Sequence, residues 1–190
     1  DIAGKDAGIP VYKLLGGKVR DRVRVYCTAT PVAQKGHAPQ DYAETVRLTK
    51  ELPEGYTIIK RGVSYHSNMP DEVPNFSYGD CPVMNSVNRG PLTEKGLNHV
   101  IECAIAMKEA LGDEVGLALD CGPGMMVPDA LRLARAMEPY HLMWLEDMIT
   151  GDYTPYVLAD LYREVTANTT TPIHTGEQIY LRQHFKDLFE

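Results

Sequence analysis

Apolar and polar positions along this chain fall into blocks that switch between two periods. Arg22-Val-Arg-Val-Tyr-Cys-Thr28 alternates, and Tyr56-Thr-Ile-Ile-Lys-Arg-Gly62 is a β-branched run carrying two cations near its end; both read as strands. Three further apolar runs each end in a carboxylate: Gly116-Leu-Ala-Leu-Asp120, Leu142-Met-Trp-Leu-Glu146 and Pro172-Ile-His-Thr-Gly-Glu177. The segments between them repeat at the helical period. Pro39 and Asp41 open a helix with Tyr42, Val46 and Thr49 on one face, ended by Pro53-Glu-Gly55. Thr93 caps a second, with Leu97, Ile101, Ala104, Ile105 and Leu111 at core spacing and Gly112 as its stop. Pro128 opens a third, with Ala130, Leu133, Ala134 and Met137 inward. Thr154-Pro155 starts a fourth with Val157, Leu161 and Val165 in line, and Leu181, Phe185 and Leu188 mark a last one. The opening, Asp1 to Gly17, is predicted helical around Pro10, with Gly16-Gly17 as its stop.

Five βα units in succession, with no hairpin signal between them, predict a parallel sheet, either doubly wound or closed as a (β/α) barrel. The three acids lie 26 and 31 residues apart, one βα repeat each. Acids on the rims of consecutive strands favour the barrel, because a doubly wound sheet opens its crevice where strand order reverses. A whole barrel takes about 250 residues, so this chain is expected to form an incomplete portion of about five units. Alternation puts Lys60 on the face of Ile58 and Gly62, with Arg61 opposite. It likewise puts Gly116 and Ala118 on the face of Asp120. Residues 63–92 show no period and carry Pro70, Pro74, Pro82 and Pro91. A connection this long, against the two to six residues usual for βα loops, is functional or disordered. Tyr65, Phe76 and Tyr78 speak against disorder, leaving a lid or specificity loop, or else a surface ornament or oligomer contact.

Composition adds mostly exclusions. The chain has 190 residues, 44% of them hydrophobic, with 19 basic against 26 acidic residues and a net charge of −7. The cations are scattered, which favours neither nucleic acid nor an anionic membrane. No apolar run approaches the roughly 18 residues needed to cross a bilayer, and the first residues do not read as a signal peptide. Cys27, Cys81, Cys103 and Cys121 form no CxxC pair and are expected to be reduced thiols in a cytoplasmic protein.

The acids change the picture. Three carboxylates converging within about 4 Å repel by roughly 4 kcal/mol per pair at an effective dielectric near 20, so something positive must stand among them. An all-oxygen set calls for a hard cation, and three acids with room for water and substrate suit Mg²⁺ better than a full Ca²⁺ cage.

At these residues the chain resembles the enolase superfamily, in particular its mandelate racemase and muconate lactonizing enzyme group. The settings Trp-Leu-Glu-Asp around Glu146 and Thr-Gly-Glu-Gln-Ile-Tyr around Glu177 carry the likeness. So does the opening Asp1-Ile-Ala-Gly-Lys-Asp-Ala-Gly-Ile-Pro-Val-Tyr-Lys-Leu-Leu-Gly-Gly17, which is similar to the segment joining that group's capping domain to its barrel. The resemblance implies a TIM-type (β/α)7β barrel over residues 21–190 and the end of an α+β capping domain, mostly absent here, over residues 1–20. It implies that Asp120, Glu146 and Glu177 bind Mg²⁺, and that the reaction begins with removal of the proton next to a substrate carboxylate, the resulting enediolate being held on the metal. That proton is very weakly acidic, and charge placed in advance opposite the developing oxyanion is what can stabilise its loss.

The chain also departs from the group. Where many members carry Lys-x-Lys on the second strand, this chain has Lys60-Arg61-Gly62, so two-base racemisation of the lysine-pair type is disfavoured. Cys121-Gly122 stands where an Asn often follows the first metal acid by two positions. The histidine base of the family, with its Asp partner, is expected beyond Glu190. The expectation is therefore a dehydratase acting on a sugar acid, with Lys60 holding a substrate carboxylate or oxyanion and His66 as a candidate proton donor. Racemases, epimerases or cycloisomerases of the same superfamily, and a non-catalytic metal-binding homologue, are the alternatives. His174 is expected to pack on the side opposite Glu177, Cys121 to be a filler, and the protein to form a homo-oligomer.

Overall fold

The computed structural model describes residues 1–28, 32–79, 90–149, 158–177 and 179–190. Four strands, β1 (Ile58–Gly62), β2 (Gly116–Asp120), β3 (Trp144–Glu146) and β4 (Ile173–His174), lie side by side in chain order, every pair parallel. Sequential parallel order with helical crossovers is the arrangement of a (β/α) barrel wall, and the chain forms an incomplete portion of one. The predicted strand Arg22–Thr28 survives as a single parallel bridge from Cys27 to Ile59, with Cys27 N–H donating to the Ile58 carbonyl at 3.0 Å and Lys60 N–H to the Cys27 carbonyl at 2.8 Å. Val23 and Val25 stay exposed, so only the end of that run is drawn into the wall.

The opening is broken into α1 (Ile2–Ala7) and α2 (Val11–Leu14), because Pro10 cannot donate into a continuous helix. α3 (Pro39–Lys50) buries Tyr42, Thr45, Val46 and Thr49, a stripe at i, i+3, i+4 and i+7, and the Asp41 carboxylate accepts from the Ala38 N–H at 3.1 Å to cap its start. After β1 the chain makes a short 3₁₀ turn at Ser64–His66 and then α4 (Met69–Glu72). α5 (Glu94–Leu111) starts where Thr93 Oγ1 accepts from Gly96 N–H at 2.9 Å, and buries Leu97, Val100, Cys103, Ala104, Met107 and Leu111. α6 (Val127–Met137), α7 (Ala159–Thr166) and α8 (Arg182–Phe189) follow β2, β3 and β4. The predicted start of α7 at Thr154-Pro155, Val157, and Cys81 and Pro82 in the long connection lie outside the described residues.

The core sits between the sheet and α3, α5 and α6, where Ile59, Leu117, Leu119 and Leu145 from the strands meet Val46, Leu97, Met107 and Leu133. Burying each such side chain contributes about 1.5–3 kcal/mol. The described part of the long connection is tied down rather than loose. Tyr65 and Phe76 are buried, meet edge to face at 6.0 Å, and Tyr65 OH donates to the Gly90 carbonyl at 3.0 Å. Cys27, Cys103 and Cys121 are all buried.

Candidate active site and metal centre

Strand register builds the site. Gly62, Asp120, Glu146 and His174 are paired across all four strands, so they form one layer on one face at the C-terminal rim. The layer beneath holds Lys60, Ala118 and Trp144. From that lower layer the Lys60 ammonium reaches up, 2.9 Å from Asp120 Oδ2 and 2.6 Å from Glu146 Oε1. Trp144 Nε1 donates to Glu146 Oε2 at 2.7 Å. Tyr26 lies beside both, its ring 5.6 Å from the Lys60 ammonium and edge to face with Trp144 at 5.3 Å.

These contacts fix the charges. Burial alone would lower the Lys60 ammonium, but its hydrogen bonds to Glu146 and Asp120 outweigh burial and hold it above the ordinary lysine value. Burial would raise Glu146, yet bonds from His174, Lys60 and Trp144 bring it down to about 2. The Glu146 carboxylate in turn raises His174, whose Nδ1 lies 3.5 Å from Glu146 Oε2. Burial pushes the Cys121 thiol well up, which suits a filler and not a nucleophile. On the other flank, His66 Nδ1 lies 3.2 Å from Asp120 Oδ1.

Of the residues singled out from sequence, Lys60, His66, Asp120 and Glu146 are thus in direct contact as one group. Glu177 joins it from the loop after β4: oxygens of Glu146, Asp147 and Glu177 all lie within 4.8 Å of one another, two of the three residues being buried. Carboxylate oxygens crowded this closely make a set able to bind a hard cation. Asp120 is connected to the set through the Lys60 ammonium, which bridges it to Glu146.

Sequence reasoning missed three participants. His174 is not a packing residue: its side chain is 60% exposed and stands beside Glu146 and Trp144. Counting alternation back from Glu177 misplaced it because β4 ends at His174 and Gly176, at φ +113, turns the chain before Glu177. Asp147 was visible only as part of the Trp-Leu-Glu-Asp match. It is buried, has φ +50, and accepts from Thr175 Oγ1 at 2.7 Å. Trp144 shares parity with Glu146, a signal that was available. A cavity of about 430 Å³ opens beside Lys60 and Asp120, with Gln34, His37, Tyr42 and Glu72 among its walls.

A sequentially ordered parallel βα wall with acids, a lysine and two histidines gathered at its C-terminal rim defines a portion of a (β/α) barrel with a charged site at its mouth. Comparison with known proteins agrees with this class. The chain belongs to the enolase superfamily: a family model described as "Enolase C-terminal domain-like" matches residues 43–190. It is 36% identical over 191 residues to a D-xylonate dehydratase of Haloferax volcanii, covering 100% of this chain and 41% of that protein. It is 37% identical over 184 residues to a D-galactonate dehydratase family member of Catenulispora acidiphila, covering 94% of this chain and 38% of that one. Among solved structures, a mandelate racemase/muconate lactonizing enzyme-like protein of Rubrobacter xylanophilus superposes with a TM-score of 0.73 at 31% identity, over 100% of this chain and 46% of that protein. The chain therefore spans about two fifths of the length of the curated relatives it matches. Among the described residues no helix is long and apolar enough to cross a membrane.

Proposed function

We propose that the protein is a Mg²⁺-dependent dehydratase of sugar acids, removing the proton next to the carboxylate and losing the neighbouring β-hydroxyl as water. The observation that carries this reading is the rim layer itself: Asp120 and Glu146 side by side, joined by one buried ammonium, with a Glu177 oxygen within 4.8 Å of one from Glu146. Relatives named as a D-xylonate dehydratase and a D-galactonate dehydratase family member support the substrate class.

Asp120, Glu146 and Glu177 are the residues assigned to hold Mg²⁺, with Asp147 beside Glu146 and Glu177. When bound there, the ion supplies positive charge opposite the oxygens of the substrate carboxylate as its neighbouring proton leaves. Lys60 is held protonated by its two acids and so acts as a cation toward the substrate carboxylate or oxyanion, not as a base. His66, half exposed beside Asp120, is assigned as the group that meets the departing β-hydroxyl. Trp144 and His174 fix the Glu146 carboxylate from below and from the side, as supporting partners do at metal sites. The cavity beside Lys60 has room for a small polyol acid, and its polar walls suit hydroxyl groups.

The test is an assay of the full-length protein against a library of acid sugars with Mg²⁺, following the 2-keto-3-deoxy products. Turnover with loss of water, abolished in E146Q, is expected. Isomerised product without water loss would assign the racemase or epimerase reaction instead, and no turnover with any acid would favour a non-catalytic metal-binding homologue.

A further inference from the structure

The turn Ser64–His66 is costly to form. Ser64 sits at φ +51 and its hydroxyl is buried with no hydrogen-bond partner among the described residues. Strain of this kind in a non-glycine residue persists only where the surroundings enforce it, and it gathers at functional sites. Two glycines leave the room that this turn needs. A Cβ on Gly62 would stand 2.5 Å from the His66 carbonyl oxygen and 3.0 Å from its ring Cδ2. A Cβ on Gly122, itself at φ +61, would stand 2.5 Å from the His66 nitrogen. Backbone bonds then tie the turn to the end of β2: Val63 N–H donates to the Asp120 carbonyl at 2.8 Å, and His66 N–H is shared between the Val63 and Cys121 carbonyls at 3.0 and 3.2 Å. Ser64 and Tyr65 are buried, so the one side chain of the turn that reaches the rim is His66.

We propose that Gly62 and Gly122 are positioning residues that act through His66. Bare at both places, the strand ends let the turn close over β2 and hold the imidazole at the substrate edge of Asp120. The geometry also makes two solutions mutually exclusive. A side chain on residue 62 and His66 in its present place cannot coexist, so this chain carries its rim group on the turn after β1 instead of on β1 itself. That His66 meets the sugar acid rests on the dehydratase reading above; that the glycines place it does not.

The test uses the full-length protein as wild type, G62A, H66A and the double variant, with two readouts. On an acid sugar that the wild type dehydrates, G62A and H66A each lower kcat about 10²-fold with KM held within a few-fold, and the double variant is no worse than the poorer single. Losses that multiply, or wild-type kcat in G62A, overturn the proposal. S64G adds no atoms and suits φ +51, so it relaxes the turn without the steric cost of G62A. Its smaller loss of kcat must vanish in the H66A background, and a loss that persists there overturns the proposal. The second readout needs no activity: in ¹⁵N NMR of the metal-free chain, G62A shifts the His66 ring signals and leaves those of His99 in place. Unmoved His66 signals refute the positioning role. Shifted signals, with a full-length protein that dehydrates no acid sugar, refute the dehydratase reading while upholding the positioning.

Discussion

Replacing Lys60 by methionine isolates the electrostatics of the rim. One ammonium touches Asp120 at 2.9 Å and Glu146 at 2.6 Å, and all three side chains are under 9% exposed. The two oxygens it bridges therefore lie at most about 5.5 Å apart, and at an effective dielectric near 20 they repel by roughly 3 kcal/mol once the cation is gone. Removing one member of a buried ionic group costs about 3–5 kcal/mol by the same reasoning, since the remaining charge is left without compensation. For a domain of this size each kcal/mol is worth about 2–4 °C in Tm, so Lys60→Met should lower the melting temperature in EDTA by roughly 10 °C. Mg²⁺ should then stabilise the variant more than the wild type, because the ion supplies the charge that Lys60 no longer provides. Thermal unfolding with and without Mg²⁺ reads both effects. An unchanged Tm in EDTA, or an equal gain from Mg²⁺ in the two proteins, would refute this account of the rim.

Other outcomes follow from the same geometry. Glu146 is depressed to about 2 in the folded chain. Its contribution is therefore present above the unfolded carboxylate value and lost as pH falls toward 2, amounting to ~3 kcal/mol. Unfolding followed against pH in EDTA should show this acid loss in the wild type and not in E146Q; coincident profiles would contradict it. Trp144→Phe removes the 2.7 Å bond to Glu146 Oε2 and should weaken Mg²⁺ binding by about 10-fold or more, measured by calorimetry. Ser64→Ala removes a buried, unpartnered hydroxyl and should stabilise the chain by about 1 kcal/mol, with a fall in Tm as the contrary result. Gly96→Ala would put a Cβ 1.9 Å from the Phe76 carbonyl oxygen and should destabilise by about 3 kcal/mol, seen as a lower denaturant midpoint.

What could be read from the sequence was what depends on near neighbours. Thr93 and Gly112 bracket α5 because cap chemistry is local, and the period of Tyr42, Val46 and Thr49 foretold the buried face of α3. The carboxylate ends of β2 and β3 fell on one rim because a parallel wall repeats its register. What depended on contacts distant in the chain was hidden. Nothing near Ser64 announces that its turn will be sewn to Asp120 and Cys121, some sixty residues on, or that Gly122 will be its seat. Lys60 was expected at the rim, but its bridging of two acids follows from Ala118 beside it being small and from β2 and β3 being adjacent. His174 escaped because alternation stops at the end of β4, and Arg22–Thr28 kept its extended pattern but entered the wall only at Cys27.

The most direct measurement is calorimetric titration of the full metal-free chain with Mg²⁺, run in parallel on D120N, E146Q and E177Q. The account predicts one ion bound per chain and a loss of affinity of at least about 10-fold in each variant. No binding in the intact protein, or wild-type affinity in D120N, would contradict it.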